Sequence, residues 1–90
     1  MSIEESLQAR TVRVLAGILE TDADSIRASD RLRDDLGLDS LQSLELLSSL
    51  AEELRIDLPM EEAMELVTVD DACRFVTHAW LAQRDGAADA

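Results

Sequence analysis

The chain has little or none of several residue types that particular structures require. It contains no lysine, and its 90 residues include one cysteine, one proline and three glycines. The single cysteine, Cys73, cannot form an intramolecular disulfide or join a cysteine metal cluster. No metal site is expected elsewhere, because Ile26, Arg27 and Arg33 occupy the positions where a calcium loop that begins at Asp22 would need a ligand, a glycine and a glutamate. No stretch approaches the ~18 consecutive apolar residues of a transmembrane helix, and the N-terminus lacks a signal-peptide pattern. We therefore expect a cytoplasmic protein without a membrane span.

Aromatic residues are also scarce, which limits how the core can be built. Phe75 and Trp80 make up 2% of the chain, whereas hydrophobic residues of all kinds make up 47%. The core must consist mainly of Leu, Val, Ile, Ala and Met side chains, and such a core can open around an apolar guest. An ordinary helical core has the same composition, so this observation alone does not establish a guest.

The length and the reactive residues argue against catalysis. Ninety residues form one small domain, which leaves little room for a deep catalytic cleft. His78 is the only histidine, and no partner for a triad or a metal site is evident. Because no set of nucleophile, base and oxyanion donors can be assembled, we predict a protein that is not an enzyme and has no catalytic residue.

The charge is strongly one-sided. Twenty acidic residues against eight basic ones, all of them arginine, give a formal net charge of −12. A polyanion would repel this chain, so nucleic acid is excluded as a partner and an anionic membrane surface is disfavoured. The charge favours partners with basic docking patches, although acidity that serves only solubility explains the same composition.

Apolar residues recur at three- and four-residue steps in three segments, which predicts three main helices. The first runs from Ile3 to about Glu20, the second from Ser40 to Leu54, and the last from Val69 to about Gln83. Pro59 ends the second segment and leaves room only for a short third helix between Met60 and Met64. No strand pattern is present, so the predicted fold is all-α.

The connection between the first two helices, Thr21–Asp39, is predicted to be a long ordered loop. Ser2 and Thr68 are the predicted N-terminal caps of the first and last helices. Residues 1–84 are expected to form one domain, and 85–90 a frayed C-terminal tail. The apolar side chains expected to pin the loop are Ile26, Leu32, Leu36 and Leu38.

The second predicted helix has an apolar stripe and an acidic face. Its expected inward residues are Leu44, Leu47, Leu50, Ala51 and Leu54. Glu45, Glu52 and Glu53 fall outside this stripe, while Leu41 and Leu46 add apolar surface beyond it. Leucine exposed near the helix start can serve a partner interface, and wider burial explains it equally well.

The run Asp39-Ser40-Leu41 places a serine hydroxyl in the first turn of this helix, after a turn that contains Gly37. The first turn of a helix has unpaired N–H groups and the positive end of the macrodipole, so a phosphate esterified to Ser40 is favoured there. The same residues also suit a plain helix cap, because Ser and Asp are common at N-terminal caps.

The segments around this motif extend the pattern over most of the chain. Glu45 and a leucine-rich helix come next, then Ile56-Asp57-Leu58-Pro59, the pair Glu61-Glu62, and Thr68-Val69 before the last helix. In this order and spacing, from about Ile3 to about Leu81, the chain resembles the acyl carrier protein family. The resemblance implies a discrete, type II carrier with a small four-helix bundle of the acyl-carrier type.

The resemblance also implies a chemistry centred on Ser40. A phosphopantetheinyl transferase would attach 4′-phosphopantetheine covalently to its hydroxyl, and the thiol of that arm would carry acyl groups as thioesters. Asp39 would cap the helix or meet basic residues of the transferase, and Leu41 would insert into partner pockets. Ser40→Ala is expected to abolish carrier function while leaving the fold nearly intact.

The expected partners are enzymes of fatty-acid, polyketide or specialised lipid biosynthesis. They include ketosynthases, acyltransferases and ligase-type enzymes, whose basic patches would meet Glu45, Glu52 and Glu53, and the chain is expected to be a monomer. By matching position, the candidate residues of an acyl pocket are Leu47, Leu50, Leu54, Leu58, Ala63, Leu66 and Ala72.

Three residues depart from the pattern of fatty-acid carriers. Gln42, Met60 and Met64 occupy places that are commonly acidic, which favours a dedicated polyketide, specialised lipid or aminoacyl pathway. Resemblance to peptidyl carriers is poorer, because the segment 37–40 has no glycine next to its aspartate. The alternative from another class is an acidic helical module that binds a protein partner and is never modified.

Overall fold

The computed structural model describes residues 2–89, with side chains described from residue 2 to residue 84. It contains four α-helices, α1 (Ile3–Leu19), α2 (Ser40–Leu54), α3 (Met60–Ala63) and α4 (Val69–Asp89). The connection between α1 and α2 includes one short 3-10 turn. No strand is found within 2–89. The predicted all-α fold, with three main helices, a short third helix and a long first loop, is confirmed.

The last helix is longer than predicted. Helix α4 ends at Asp89 rather than near Gln83. The side chains of 85–89, and Ala90 altogether, lie outside the described residues. The division into a domain of 1–84 and a tail of 85–90 therefore stays a prediction.

Polar side chains begin the helices where the sequence predicts. The Glu5 N–H donates to Ser2 Oγ at 3.2 Å. Before α4, the Asp71 N–H donates to Thr68 Oγ1 and the Thr68 N–H donates to Asp71 Oδ2, both at 3.1 Å. The backbone N–H groups of Thr68 and then Val67 hold the pKa of Asp71 below its ordinary value. The predicted caps of both helices are confirmed.

The core lies where α1 packs against both α2 and α4. Thr11, a buried polar residue of α1, donates its hydroxyl to the Leu7 carbonyl at 2.8 Å, so its burial leaves no unpaired oxygen. The buried core cluster consists of Leu15, Leu32, Leu38, Leu46, Leu50, Val69, Ala72, Cys73 and Val76.

The stripe predicted for α2 is partly wrong. Leu46 and Leu50 are 6% and 1% exposed and enter the core cluster, whereas Leu44 is 39% exposed. Residues 46 and 50 are four apart and therefore share one face of the helix. Leu44 and Leu47 lie on the side that faces α3, and a helix of four residues covers them incompletely.

The loop between α1 and α2 is tied to the segment that precedes and begins α4. The Leu32 N–H donates to the Val67 carbonyl at 2.8 Å, and the Val69 N–H donates to the Asp30 carbonyl at 2.9 Å. Leu32 and Leu38 are buried, and Ile26 and Leu36 pack against the core cluster. The predicted apolar contacts of this loop are confirmed.

A second tie holds the connection between α2 and α3. The Asp57 N–H donates to Gln83 Oε1 at 2.7 Å, and Gln83 Nε2 donates to the Asp57 carbonyl at 2.6 Å. This reciprocal pair attaches the chain before α3 to α4. Within 2–89, no helix is both long and apolar enough to cross a membrane.

A tight turn leads into α2 and requires a glycine. The Gly37 N–H donates to the Arg33 carbonyl at 3.1 Å, and Gly37 has a φ of +71°. A side chain is strained in this left-handed region even where space is free, and an added Cβ would meet no atom within 4 Å.

We expect Gly37→Ala to lower the free energy of unfolding by about 1–2 kcal/mol through backbone strain alone. Gly17→Ala is the matched control, because Gly17 lies inside α1 and its added Cβ also meets nothing within 4 Å. The control should raise the free energy of unfolding by about 0.5–1 kcal/mol. Urea denaturation followed by circular dichroism measures both, and a Gly37→Ala protein as stable as the wild type would contradict the assigned turn.

Candidate functional site

Ser40 is the first residue of α2, and its side chain is exposed. Leu38, two residues earlier, is 4% exposed and holds the chain against the core immediately before the helix begins. The hydroxyl of Ser40 makes no hydrogen bond with any of the side chains or backbone groups described in 2–84. Ser40 is therefore held at the surface with its oxygen open to an outside reagent.

Asp39, rather than Ser40, caps α2. The Gln42 N–H donates to Asp39 Oδ1 at 2.7 Å, and the Asp39 N–H donates to Gln42 Oε1 at 3.1 Å. The two residues thus satisfy each other's backbone donors in a capping box. Of the two roles predicted for Asp39, the structure shows the helix cap. Because Asp39 caps α2, the hydroxyl of Ser40 is not needed to stabilise the helix.

A cavity of about 160 Å³ opens beside Ser40, between α2 and α3. Its lining residues are apolar except for two serines and one arginine. The lining residues are Leu32, Arg33, Leu38, Ser40, Ser43, Leu44, Leu46, Leu47, Met60, Ala63, Met64, Leu66 and Ala72. An apolar chain attached at Ser40 can enter this space and leave water.

The cavity includes some, but not all, of the residues predicted for an acyl pocket. Four of the residues predicted for an acyl pocket, Leu47, Ala63, Leu66 and Ala72, line this cavity, and their role toward an acyl chain stays a prediction. Leu50, Leu54 and Leu58 do not line it. Leu50 is buried in the core cluster, and Leu54 and Leu58 pack against that cluster.

Sequence reasoning missed several cavity residues that the structure brings together. In the sequence, Met60 and Met64 stand out only as departures from an acidic pattern, yet both residues line the cavity. Their spacing of four residues is a signal that could have been used, since it places them on one side of a short helix. Arg33 carried no such signal, because its position in a loop gives no periodicity.

Large exposed apolar side chains lie on the cavity wall and next to Ser40 in the sequence. Leu41 is 66% exposed, Met60 48% and Met64 67%, and all are close in sequence to Ser40 or line its cavity. Exposed groups of large apolar residues commonly mark interaction sites. The expectation that some leucine near the start of α2 is exposed is confirmed.

The three predicted docking glutamates do not have equivalent surroundings. Glu45, Glu52 and Glu53 are all exposed. Glu45 and Glu52 are seven residues apart and share a face of α2, whereas Glu53 lies 4.0 Å from the guanidinium of Arg10 on α1. An exposed pair of this kind contributes only ~0–1 kcal/mol, but it turns Glu53 toward α1.

Cys73 is buried, as its place on the apolar stripe of α4 predicts. Burial, and then the nearby charge of Asp70, raise the pKa of its thiol to about 11. The thiol is therefore protonated near neutral pH and is a poor nucleophile. Within the described residues, no cluster of three or more His, Cys, Asp or Glu side chains is arranged to hold a metal ion.

Comparisons with known proteins agree with this geometry. A family model described as "Phosphopantetheine attachment site" matches residues 9–76. The acyl carrier protein of Treponema denticola is 38% identical over 72 residues, which are 80% of this chain and 92% of that protein.

Solved structures give the same result for the fold. A Mycobacterium tuberculosis protein assigned as an acyl carrier protein has a TM-score of 0.70 and 33% identity, with 84% of this chain and 96% of that chain covered. The apo doublet acyl carrier protein from prodigiosin biosynthesis has a TM-score of 0.72 and 20% identity, with 87% of this chain and 38% of that chain covered. The second match shows similarity of fold alone.

We expect Asp39→Ala to lower the free energy of unfolding by about 1 kcal/mol, because the Gln42 N–H loses its partner. Asp39→Asn should change it by only a few tenths of a kcal/mol, since Asn caps helices as well as Asp. Urea denaturation of the two variants makes the measurement. Equal losses in both variants would mean that the negative charge, rather than the cap, is what stabilises α2.

Proposed function

This chain belongs to the acyl carrier protein family, and from that premise we propose that Ser40 carries its prosthetic group and that the cavity beside Ser40 receives the acyl cargo. The protein is a carrier and not an enzyme, and the prosthetic group of its family is 4′-phosphopantetheine. One observation carries the proposal: an exposed serine hydroxyl without a hydrogen-bond partner in 2–84 lines the mouth of an apolar cavity.

The residues present fit such a group. When bound, 4′-phosphopantetheine supplies a flexible arm and the thiol on which acyl groups travel as thioesters. Ser40 offers the oxygen for the phosphodiester, at a helix start where negative charge is favoured. The wall formed by residues such as Leu47 and Leu66 offers an apolar space in which water is excluded.

The neighbours of Ser40 keep the attachment point fixed while the arm moves. The capping box between Asp39 and Gln42 holds the first turn of α2, and the burial of Leu38 holds the chain just before it. A transferase that reaches Ser40 therefore meets a preformed surface instead of a mobile loop. Such pre-organisation lowers the cost of ordering when proteins associate.

We propose that partners dock on α2 and α3 through mixed contacts. Glu45 and Glu52 provide exposed negative charge, and Leu41 and Met64 provide exposed apolar area. Each surface ion pair contributes only ~0.2–1 kcal/mol, so binding through a few of them is fast and reversible. This suits a monomeric carrier that visits a phosphopantetheinyl transferase and then ketosynthases, acyltransferases or ligase-type enzymes in turn.

The apolar surface around α3 helps to indicate which biosynthetic pathway the carrier serves. Met60 and Met64 make this surface apolar where charge is common in fatty-acid carriers, and Gln42 is engaged in the capping box. We therefore favour service in a dedicated polyketide or specialised lipid pathway over housekeeping fatty-acid synthesis. An aminoacyl pathway is the second candidate, because Gln42 and the two methionines suit either one.

The attachment point can be tested by intact-mass measurement. After incubation of the apo protein with coenzyme A, magnesium and a broad-specificity phosphopantetheinyl transferase, the wild type should gain the mass of one phosphopantetheine group. Ser40→Ala should gain nothing and keep its helical spectrum, because its side chain is exposed. Ser43→Ala, which changes another serine of the same cavity, is the control and should be modified.

An unchanged wild-type mass would instead favour an interaction module that is never modified. Modification of Ser40→Ala would place the attachment on another residue. Both results would count against the proposal, and the circular dichroism spectrum excludes unfolding as the cause.

A thiol count provides an independent check. At pH 8 no thiol of the folded apo protein should react with Ellman's reagent, because Cys73 is buried and the pKa of its thiol is raised to about 11. The modified protein should show one reactive thiol, that of the arm. Unfolding the apo protein in guanidinium should expose the Cys73 thiol, and rapid reaction of the folded apo protein would contradict its burial.

A further inference from the structure

One charged residue lines the otherwise apolar cavity beside Ser40. Arg33 contributes to the same wall as Ser40, Leu44 and Met60, and it is the only ionisable residue among those that form this wall. A guanidinium next to an apolar space keeps its charge at the mouth while its methylene groups pack against the wall. Arg33 is exposed, so its guanidinium is free to bind an anion that lies at the mouth of the cavity.

The nearby acids do not supply that anion. Asp34 and Asp35 each lie 3.6 Å from the guanidinium of Arg31, and Asp35 also accepts the Arg31 N–H at 2.7 Å. Asp39 accepts the Gln42 N–H in the capping box. Among the side chains described from 2 to 84, no carboxylate lies within ion-pair distance of Arg33. Five of the eight arginines have no such partner among the side chains of 2–84, and Arg33 is the one of these five that lines the cavity.

The backbone fixes where the Arg33 side chain begins. The carbonyl of Arg33 accepts the Gly37 N–H at 3.1 Å, and the preceding Leu32 is 5% exposed. The turn that places Ser40 at the start of α2 therefore also places Arg33 at the cavity. Both positions depend on the same few hydrogen bonds and buried leucines.

We propose that Arg33 binds the phosphodiester of the prosthetic arm on Ser40 and so directs the arm toward the cavity. This inference rests on the proposed attachment at Ser40. The phosphate is joined directly to the Ser40 oxygen, so it remains at the cavity mouth whatever cargo is carried. A planar guanidinium pairs well with phosphate oxygens, and its hydrogen bonds to them are strengthened by charge.

A carboxylate at the far end of a cargo is a different anion that the same guanidinium could bind. The phosphate is favoured because it is always tethered near Arg33, whereas a cargo terminus that enters the cavity meets an apolar wall. The two sources of anionic oxygen are separated by the choice of cargo in the experiment below.

The experiment uses phosphorus NMR of the modified full-length protein. Arg33→Met removes the charge and keeps an apolar stem, Arg33→Gln is a second variant of the same kind, and Arg33→Lys keeps a positive charge. Arg13→Met is the matched control, since Arg13 is exposed on α1 and does not line the cavity. Circular dichroism confirms that each variant is folded.

The phosphodiester resonance should shift in Arg33→Met and Arg33→Gln, stay at the wild-type position in Arg13→Met, and be largely restored in Arg33→Lys. Added salt should move the wild-type resonance toward the Arg33→Met position, because exposed ion pairs are screened. A resonance that is the same in wild type and Arg33→Met would overturn the inference. Attachment at Ser40 would then still stand, because the mass measurement tests it separately.

A second readout follows the cargo. Hydroxylamine should cleave a hexanoyl thioester about two- to fivefold faster on Arg33→Met than on wild type, because the arm is held less closely at the cavity. The same ratio is expected for an adipoyl thioester, which ends in a carboxylate. A difference between variants that appears only with adipoyl would show that Arg33 binds the cargo instead of the phosphodiester, and would refute the proposal.

Discussion

The burial of Leu32 and Leu38 on either side of one left-handed glycine determines where α2 begins. Backbone hydrogen bonds to the segment before α4 hold this stretch on the core, and Gly37 lets the chain reverse between the two leucines. Without that anchoring, a helix start at the end of a long loop would fray. The exposure of Ser40, the capping box and the orientation of the cavity mouth all follow from it.

Helix α2 packs into the core with one face and lines the cavity with the neighbouring face. Leu46 and Leu50 enter the core and hold the helix in the bundle, while Leu44 and Leu47 line a space that the bundle leaves open. An apolar arc wider than one core-facing stripe explains both. The acidic residues lie outside this arc, so the strongly negative surface and the apolar cavity coexist on a helix of 15 residues without burying a carboxylate.

The sequence was enough to predict where each helix begins and that Ser40 lies in the first turn of α2, because caps, a proline and apolar spacing act locally. It was not enough to predict which leucines of α2 enter the core, since Leu44 and Leu46 differ only in what packs against them. Cavity residues such as Met60 and Arg33 come from a four-residue helix and a loop, where periodicity is too short to orient a side chain. Their roles depend on tertiary pairing.

The reciprocal hydrogen bonds between Asp57 and Gln83 and the bond from Leu32 to Val67 secure the chain before and after α3, but α3 itself is a single turn. A helix this short has almost no cooperativity of its own, so displacing it breaks few bonds. One wall of the cavity, α3, is therefore easily displaced, although the chain on both sides of it is held by hydrogen bonds. The opposite wall belongs to the packed helices of the bundle. In the proposed role of the cavity, the length of cargo that fits would depend on how far this short helix can move, and mutations in α3 would change that length without changing the stability of the bundle.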